Sequence, residues 1–387
     1  MGRKSIAIVS AQFLPHIGGV ERYTDCVAKE IQRRGYDVTV VTSEYPECSS
    51  RERVDGVEVY RLPSYRLMDG RYPILKPSQE KKHLQEVLAD KHLYHMLVNT
   101  RFYPISLWAV RWAYKNHVPC TVIEHGTAHL QMGKLSFIAE WVEHVFTTIL
   151  KRYHPTFMGV SKAACEWSKH FGLDNSEVAH NAIAIEEFLD KKFVEKEDVR
   201  KKYQIPIDAY FLVYAGRLIP EKGLIQLAKA VEDLSKEHKI YLLLAGDGPL
   251  YEELSRNYGK TVRCIGSVSR EEILQLLHAC DSFCLPSDSE GLPTVVLEAA
   301  MCQAHVIATQ YGGTGEIISD NDFGVCLKDN RVETVEKGIQ EALLDEKKCK
   351  QQAENLHERV KEEYSWGKTV DALLRHFNNQ TRRMENM

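Results

Sequence analysis

Two cations occur close together in a glycine-bounded turn of the second half of the chain. Arg217 and Lys222 lie in the segment Gly216–Gly223, between an apolar run that predicts a strand and the helical stripe that begins at Leu224. Unpaired amides at a helix start and two positive side chains together suit an anion. An ordinary solvated loop explains this segment equally well when it is taken alone.

A pair of carboxylates follows about seventy residues later. Glu290 and Glu298 are separated by seven residues, and Pro293 suits the first turn of a helix, which places Gly291 and Leu292 at its amide-rich end. Carboxylates form strong hydrogen bonds with hydroxyl groups, so the two could hold separate parts of an extended, hydroxyl-rich ligand. The alternative is a helix-start charge and a surface carboxylate. Because Glu298 lies in an apolar run and would be costly to bury without partners, the binding interpretation is favoured.

Two features of the first half could contribute to the same chemistry. His125 lies just after the predicted strand end Thr121-Val-Ile123 and precedes a glycine. It is one of 16 histidines, most of which should be structural or exposed. Its position at a strand end favours function. Gly18 and Gly19 precede the first helical stripe, but they do not form a Gly-x-Gly-x-x-Gly fingerprint, which weakens a dinucleotide interpretation.

Strand and helix patterns alternate twice along the chain. Segments that predict strands, at 5–10 and 37–42, flank a helical stripe, and the same alternation begins again near residue 210. This predicts two doubly wound α/β domains facing across a cleft, with ligands at the carboxyl ends of the strands. The predicted units are residues 1–185, 186–363 and a C-terminal helix, 364–387, that folds back onto the first domain with Trp366 as its anchor.

Composition excludes several other classes. The 387 residues carry 50 basic and 54 acidic side chains, a balance that argues against a general nucleic-acid binder. No apolar run is long enough for a signal peptide or a membrane span, and ten cysteines without a Cys-x-x-Cys pair favour a cytoplasmic protein with reduced thiols. The segment Asp320-Asn-Asp322 has the form of a metal-binding Asp-x-Asp, but a polar turn explains it better. We therefore predict no metal site.

The glutamate pair resembles the paired-glutamate motif of retaining glycosyltransferases with the GT-B fold, the large glycogen-synthase-like family, also called glycosyl transferases group 1. Further segments resemble that family in order and spacing along nearly the whole chain. They are the glycine loop Pro15–Glu21, the histidine segment Glu124–Gly126, Val160–Lys162, His180-Asn181, Gly246–Pro249, Gly266, Gly312–Glu316 and Tyr364–Trp366. Ala182 departs from the glycine that the family often carries.

The resemblance implies transfer of a sugar from a nucleotide diphosphate with retained anomeric configuration. Arg217 and Lys222 would neutralise the departing diphosphate, assisted by the amides of Gly18 and Gly19. The donor, a UDP- or GDP-sugar, would be a substrate, so no cofactor is implied, and donor binding is expected to be metal-independent. Most of the catalysis would then come from electrostatic stabilisation and positioning.

The sugar side of the donor is assigned by the same resemblance. Glu290 would hold the sugar hydroxyls, Glu298 the ribose, and His125 would contact the sugar and its developing charge. The remaining donor contacts are implied for Gly291, Leu292 and Pro293. Two alternatives stay open: a nucleotide-sugar epimerase or hydrolase on the same scaffold, and a non-catalytic protein that binds a nucleotide or a glycan.

The acceptor is expected to be a glycan or a polyprenyl-linked sugar used in surface-polysaccharide synthesis. An amphipathic helix is predicted over 135–153, with cations at its end. The simpler interpretation is a helix that covers the first sheet; the alternative is peripheral docking on the inner membrane face. Cations in a long, irregular, proline-bearing insertion could assist: Arg66, Arg71, Lys76, Lys81 and Lys82.

Overall fold

The structure, a computed structural model, describes residues 3–16, 18–67, 72–127, 136–174, 177–189 and 191–385. Contact density divides the chain into two compact units. Unit 1 comprises Met1–Asn181 together with Trp366–Met387, and unit 2 comprises Ala182–Ser365. Each is an α/β unit and is described by itself.

Unit 1 is built on a seven-stranded sheet of order β3-β4-β2-β1-β7-β8-β9, in which only β3 runs antiparallel to its neighbour. Its strands are β1 (Ser5–Val9), β2 (Asp37–Ser43), β3 (Arg51–Val54), β4 (Val57–Leu62), β7 (His95–Asn99), β8 (Cys120–Glu124) and β9 (Thr156–Gly159). The helices of its first segment are α1 (Gly19–Arg33), α2 (Gln79–Asp90), α3 (Pro104–Lys115), α4 (Ser136–Lys151) and α5 (Lys162–Lys169). The central strands are buried on both faces, as parallel strands covered by helices must be.

The insertion after β4 is more regular than its sequence indicates. The prediction of a long irregular segment is wrong, because β5 (Ser64–Leu67) and β6 (Tyr72–Leu75) form an antiparallel pair and α2 follows directly. Ser78 caps α2 by accepting a hydrogen bond from the Lys81 amide. Of the cations predicted there, Arg71 lies outside the described residues.

Unit 2 is built on a six-stranded parallel sheet of order β12-β11-β10-β13-β14-β15. Its strands are β10 (Tyr210–Ala215), β11 (Ile240–Ala245), β12 (Val262–Gly266), β13 (Ser282–Leu285), β14 (His305–Thr309) and β15 (Val325–Leu327). Its helices are α6 (Glu186–Leu189), α7 (Lys196–Lys202), α8 (Leu224–Leu234), α9 (Tyr251–Asn257), α10 (Arg270–Ala279), α11 (Thr294–Met301), α12 (Thr314–Ile317), α13 (Val332–Leu344) and α14 (Glu346–Glu363).

Both sheets reverse their direction of growth at one point. In unit 2 the chain runs outward from β10 through β11 and β12, then returns to add β13, β14 and β15 on the other side of β10. In unit 1 the same reversal separates β1 from β7. Loops that leave the carboxyl ends of strands at such a switch point diverge and open a crevice, which is where open α/β sheets bind ligands.

The last helix, α15 (Trp366–Glu385), belongs to unit 1. Trp366 is buried and packs edge-on against Tyr23, with ring centroids 5.6 Å apart. Phe377 stacks on His95 of β7, and Thr369 donates a hydrogen bond to the His180 carbonyl. The chain thus returns to its first half after completing unit 2.

Candidate active site

The turn after β10 carries both predicted cations. Arg217 is exposed and forms no salt bridge with the described residues, while its carbonyl accepts a hydrogen bond of 2.9 Å from the Tyr214 hydroxyl. Burial, with a further contribution from Glu290, raises the pKa of Tyr214 above its usual value, so the phenol stays neutral. Lys222 closes a 3₁₀ turn, Pro220–Lys222, immediately before α8.

The turn is held against the segment after β13, the neighbouring strand across the switch point. Gly223 has φ +65°, and a Cβ at this position would lie 2.2 Å from the Pro286 carbonyl oxygen, so only glycine allows this close approach. The Asp288 amide donates to the Glu221 carbonyl over 2.8 Å. These contacts fix the cation-bearing turn beside the loop that carries Glu290.

Lys222 and Glu290, 68 positions apart in sequence, form a direct ion pair. Lys222 Nζ is 2.5 Å from Glu290 Oε1, and their side chains are 15% and 12% exposed. The structure therefore brings together one cation and one carboxylate of the sequence-predicted set. Because both groups are largely shielded from water, their interaction is stronger than that of a surface pair.

The loop that follows β14 contacts the backbone of Glu290. Gly313, after β14, donates its amide to the Glu290 carbonyl over 3.0 Å. At Gly312, where φ is +61°, a Cβ would lie 1.8 Å from that same carbonyl oxygen. Leu292 and Pro293 are buried, and Gly291 is half-buried before α11 begins at Thr294. The loops that follow β10, β13 and β14 thus pack at one edge of the sheet.

Glu298 lies in α11 and is only 7% exposed. The interpretation as a surface carboxylate is wrong, because Arg270 of α10 forms an ion pair with it, the Nε–Oε1 distance being 3.2 Å. Arg270 also pairs with Glu187 over 2.5 Å. The sequence analysis missed Arg270, which follows the helix-capping Ser269 and carries no motif of its own. The partner that a buried Glu298 requires is therefore present.

The glycine loop of unit 1 precedes α1. Gly18 is extended, with φ −160°, and the first helical residue is Gly19. A Cβ at Gly18 would lie 2.3 Å from Glu21 Oε2, and this buried carboxylate is 3.4 Å from His16 Nδ1. A carboxylate thus already lies beside the N-terminal amides of α1, and the role of Gly18 and Gly19 in diphosphate binding stays a prediction.

His125 follows β8 and is half-buried. Its Nε2 is 2.9 Å from Asn99 Oδ1, and Asn99 in turn reaches Thr24 Oγ1 of α1 over 2.8 Å. The edge of the ring packs against Tyr23, with ring centroids 4.8 Å apart and planes at 85°. Burial lowers the pKa of His125 to about 3, so the imidazole is neutral near pH 7.

A buried charge cluster anchors the backbone of the histidine segment. Glu124 Oε1 accepts hydrogen bonds from the amides of His125 at 3.1 Å and Gly126 at 3.3 Å. Arg101 pairs with Glu124 and, over 3.0 Å, with Glu143 of α4. Burial lowers the pKa of Arg101 to about 10, so its guanidinium stays charged at neutral pH. Sequence analysis missed Arg101 and Glu143. Arg101 lies just after the carboxyl end of the buried strand β7, which is a recognisable signal, whereas Glu143 lies within α4 and has no such signal.

No metal cluster among the described residues includes a predicted site residue. The group of potential ligands found there comprises Glu140, His144 and His170, whose ligand atoms lie within 4.8 Å of one another. The His170–Glu140 atom pair is 3.9 Å apart, whereas ligands of tetrahedral zinc are separated by about 3.4 Å. Asp320 and Asp322 form an exposed turn in which the Asp320 carboxylate accepts the Asp322 amide.

Two family descriptions together match most of the chain. Residues 17–187 match Glycosyltransferase Family 4, and residues 195–359 match Glycosyl transferases group 1. An uncharacterized glycosyltransferase of Methanocaldococcus jannaschii is 26% identical over 96% of this chain and 97% of its own length. The putative teichuronic acid biosynthesis glycosyltransferase TuaC of Bacillus subtilis is also 26% identical, over 92% of both chains.

Solved structures agree on the fold. Sucrose-phosphate synthase from Thermosynechococcus elongatus superposes with a TM-score of 0.76 at 18% identity, covering 98% of this chain and 100% of that one. Anabaena HepE, solved in complex with UDP, gives a TM-score of 0.74 at 17% identity, covering 97% and 100%. The fold is of the GT-B class, as predicted.

These matches define the class of protein. A Glycosyltransferase Family 4 domain is followed by a Glycosyl transferases group 1 domain, and the relatives that match over nearly the full chain are glycosyltransferases. By its domains and its homologues, this chain is a glycosyltransferase. No helix among the described residues combines the length and the apolar character needed to cross a bilayer.

Proposed function

We propose that this protein is a retaining, metal-independent glycosyltransferase that moves a sugar from a UDP- or GDP-sugar to a hydroxyl of a glycan or lipid-linked acceptor. The bond between the anomeric carbon and the diphosphate breaks, and the acceptor oxygen bonds to that carbon from the same face. The proton of the acceptor hydroxyl passes to the departing phosphate oxygen. The reaction needs no protein nucleophile, so the residues supply charge and position.

The observation that carries this proposal is the ion pair between Lys222 and Glu290. It joins a group suited to a diphosphate and a group suited to sugar hydroxyls at one end of one sheet, within 2.5 Å. The diphosphate and the sugar are the two groups joined by the bond that a sugar-nucleotide enzyme must break. An exposed guanidinium, that of Arg217, comes from the same turn. HepE, a relative in fold, is solved with UDP, with UDP and glucose, and with UDP-glucose.

The position of Glu298, in the helix that follows the same loop, favours a role in binding the nucleoside of the donor. Among the described residues of unit 2, Glu298 is the only buried carboxylate, and Arg270 forms an ion pair with it. Its carboxylate is of the type that accepts hydrogen bonds from a ribose diol, and charge-assisted bonds of this kind are strong. Gly291, Leu292 and Pro293 would line the donor between the two glutamates.

Relatives point to a lipid-linked or surface-polymer acceptor. One relative is named for teichuronic acid biosynthesis, and another, from Saccharomyces cerevisiae, is a phosphatidylinositol N-acetylglucosaminyltransferase subunit that is 24% identical over 94% of this chain. We propose that α4 docks on the inner face of a membrane, because Trp141 on this helix is 66% exposed. Lys151, at its end, instead donates to the carbonyls of Phe171 and Gly172.

Product analysis with a panel of nucleotide sugars tests the proposal. Thermal protection first identifies the donor, since a ligand that binds the folded state raises the midpoint of unfolding. The purified protein with that donor and a hydroxyl acceptor should then release the nucleoside diphosphate in step with glycoside formation, and proton NMR should show the donor's anomeric configuration in the product. EDTA should leave the rate unchanged.

Three outcomes would contradict the proposal. Conversion of the donor without acceptor at the full rate would identify an epimerase or a hydrolase. An inverted anomer would exclude retention, and loss of transfer in EDTA with recovery in manganese would exclude metal independence. For membrane docking, Trp141→Ser should reduce flotation with anionic liposomes while the exposed control Tyr114→Ser does not; equal flotation of both variants would contradict docking.

A further inference from the structure

Three polar side chains from three elements of unit 1 form a continuous hydrogen-bonded chain that ends at His125. Thr24 lies in α1, Asn99 ends β7, and His125 follows β8. Thr24 Oγ1 donates to the Val20 carbonyl over 2.7 Å, and the two further links are 2.8 and 2.9 Å. Asn99 is 1% exposed and Thr24 is fully buried, so neither side chain exchanges its partners with bulk water.

The Thr24 hydroxyl determines which atom donates and which accepts in each hydrogen bond of this chain. The single hydroxyl proton of Thr24 is used on the Val20 carbonyl, so Thr24 Oγ1 accepts from Asn99. Asn99 must therefore present its NH₂ group to Thr24 and its oxygen to the ring. An amide oxygen can only accept, so the proton must reside on His125 Nε2. The reversed amide would leave Thr24 facing an oxygen with no proton to give.

We propose that Thr24 and Asn99 are positioning residues that fix His125 as the Nε2–H tautomer, leaving Nδ1 as the ring's hydrogen-bond acceptor toward the substrate. The inference rests on the proposed function for the identity of that substrate. It assigns the chemistry that His125 recognises: a hydroxyl group, which can donate a proton. A carboxylate or phosphate at this position would meet a lone pair and be disfavoured.

The charges around the ring are consistent with this assignment. Tyr23, which packs on the ring from α1, is a neutral phenol because burial raises its pKa. Glu124 is adjacent in sequence, but its carboxylate is engaged by two backbone amides and by Arg101. The ring nitrogen that pairs with Asn99 faces an uncharged amide. A neutral imidazole with its lone pair toward the sugar also suits the positive charge that develops at the anomeric carbon.

Nitrogen NMR reads the tautomer directly and does not depend on activity. Long-range proton–nitrogen spectra of protein labelled with ¹⁵N-histidine distinguish a protonated from an unprotonated ring nitrogen. The His125 signals are assigned by their loss in His125→Asn. We expect one tautomer, protonated at Nε2, at pH 7. The opposite tautomer, an even mixture, or a doubly protonated ring would overturn the proposal.

Variants of the two positioning residues should move the tautomer and the pH profile together. Asn99→Asp places a carboxylate against Nε2–H and should raise the pKa of His125 from about 3 to between about 4 and 6. kcat should therefore stay near the parent value at pH 7 and fall about tenfold for each pH unit below that raised pKa, a range in which the parent enzyme keeps a neutral ring. Thr24→Val removes the acceptor of the Asn99 amide and should give mixed tautomers with kcat reduced about tenfold. Thr24→Ser keeps the hydroxyl and should restore the single tautomer and the rate.

A matched control separates this role from a structural one. Asn116→Asp makes the same chemical change at an exposed residue that ends α3, and should leave both the tautomer and the pH profile unchanged. If Asn99→Asp lowers kcat equally at every pH with an unchanged His125 pKa, Asn99 is merely structural and the proposal is wrong. If the NMR result is as expected but no sugar is transferred, the proposed function fails while the tautomer assignment stands.

Discussion

Replacing Lys222 by methionine should remove the main charge that stabilises the leaving diphosphate. Methionine is similar in length and keeps the apolar contacts of the side chain, so the change isolates the ammonium. The Lys222 side chain is 15% exposed, so the effective dielectric constant around its charge is lower than that of bulk water and higher than that of the protein interior. A charge pair at about 4 Å with an effective dielectric of ~20 is worth roughly 4 kcal/mol, equivalent to about three decades of rate. We expect kcat to fall by about 10²–10³-fold, because Arg217 retains part of the stabilisation.

The assay is steady-state release of the nucleoside diphosphate under saturating donor and acceptor. Lys236→Met is a matched control, because this lysine is 69% exposed and its salt bridge among the described residues is with Asp233 of α8. Circular dichroism should show that both variants remain folded. Near-normal kcat in Lys222→Met, or an equal loss in Lys236→Met, would refute the assignment of the diphosphate charge to Lys222.

Three other predictions follow from the described geometry. Glu290→Gln should abolish transfer and keep affinity for the free nucleoside diphosphate within about threefold by calorimetry, since it removes a contact to the sugar; loss of nucleotide binding would contradict this division of roles. Gly312→Ala should destabilise unit 2 by at least about 2 kcal/mol in urea titrations, because φ at Gly312 is +61° and a Cβ there would collide with the Glu290 carbonyl. Gly259→Ala is the control, because a Cβ at that position meets no atom within 4 Å. Burial lowers the pKa of His305 from 6.5 to about 4, so between these pH values the unfolded chain binds a proton that the folded protein does not. The free energy of unfolding should therefore decrease by about 3 kcal/mol as the pH falls from about 6.5 to about 4. His305→Gln should flatten this pH dependence, and an unchanged dependence in that variant would show that His305 is not its cause.

The architecture of unit 2 follows closely from sequence pattern. Parallel strands buried on both faces appear as largely apolar runs, and the segments 240–245 and 305–309 coincide with the observed strands β11 and β14. Ser269 caps α10 by accepting a hydrogen bond from the Glu272 amide, and the spacing Ser269-Arg-Glu-Glu272 is typical of a helix start. Local periodicity and capping decide these elements, so no tertiary information was required.

The insertion of unit 1 illustrates where pattern reasoning stops. The strands β5 and β6 are only four residues each, and β5 is exposed along most of its length, so no apolar alternation marks them. They exist because they pair with one another. A two-stranded pair depends on cross-strand contacts, which a single segment of sequence does not reveal.

The partners of the site residues were the other part that the sequence could not supply. Arg270 is 28 positions from Glu298, and Asn99 is 26 positions from His125. Each pair forms only because sheet topology brings two strand ends or two helices side by side. The candidate site residues were predicted from residue type, spacing and family resemblance, whereas the groups that contact them depend on the order of strands in the sheet.

The pairing of Lys222 with Glu290 makes their effects on stability and on catalysis separable. Each group neutralises the other in the donor-free protein, so removing either one leaves an uncompensated charge that is largely shielded from water, and each single variant should lose stability. The double variant Lys222→Met/Glu290→Gln removes both charges at once and should recover most of that loss. Turnover should not recover, because the diphosphate still lacks its cation and the sugar its carboxylate. If the double variant regained activity as well as stability, the two side chains would be a structural ion pair and the donor would have to bind elsewhere.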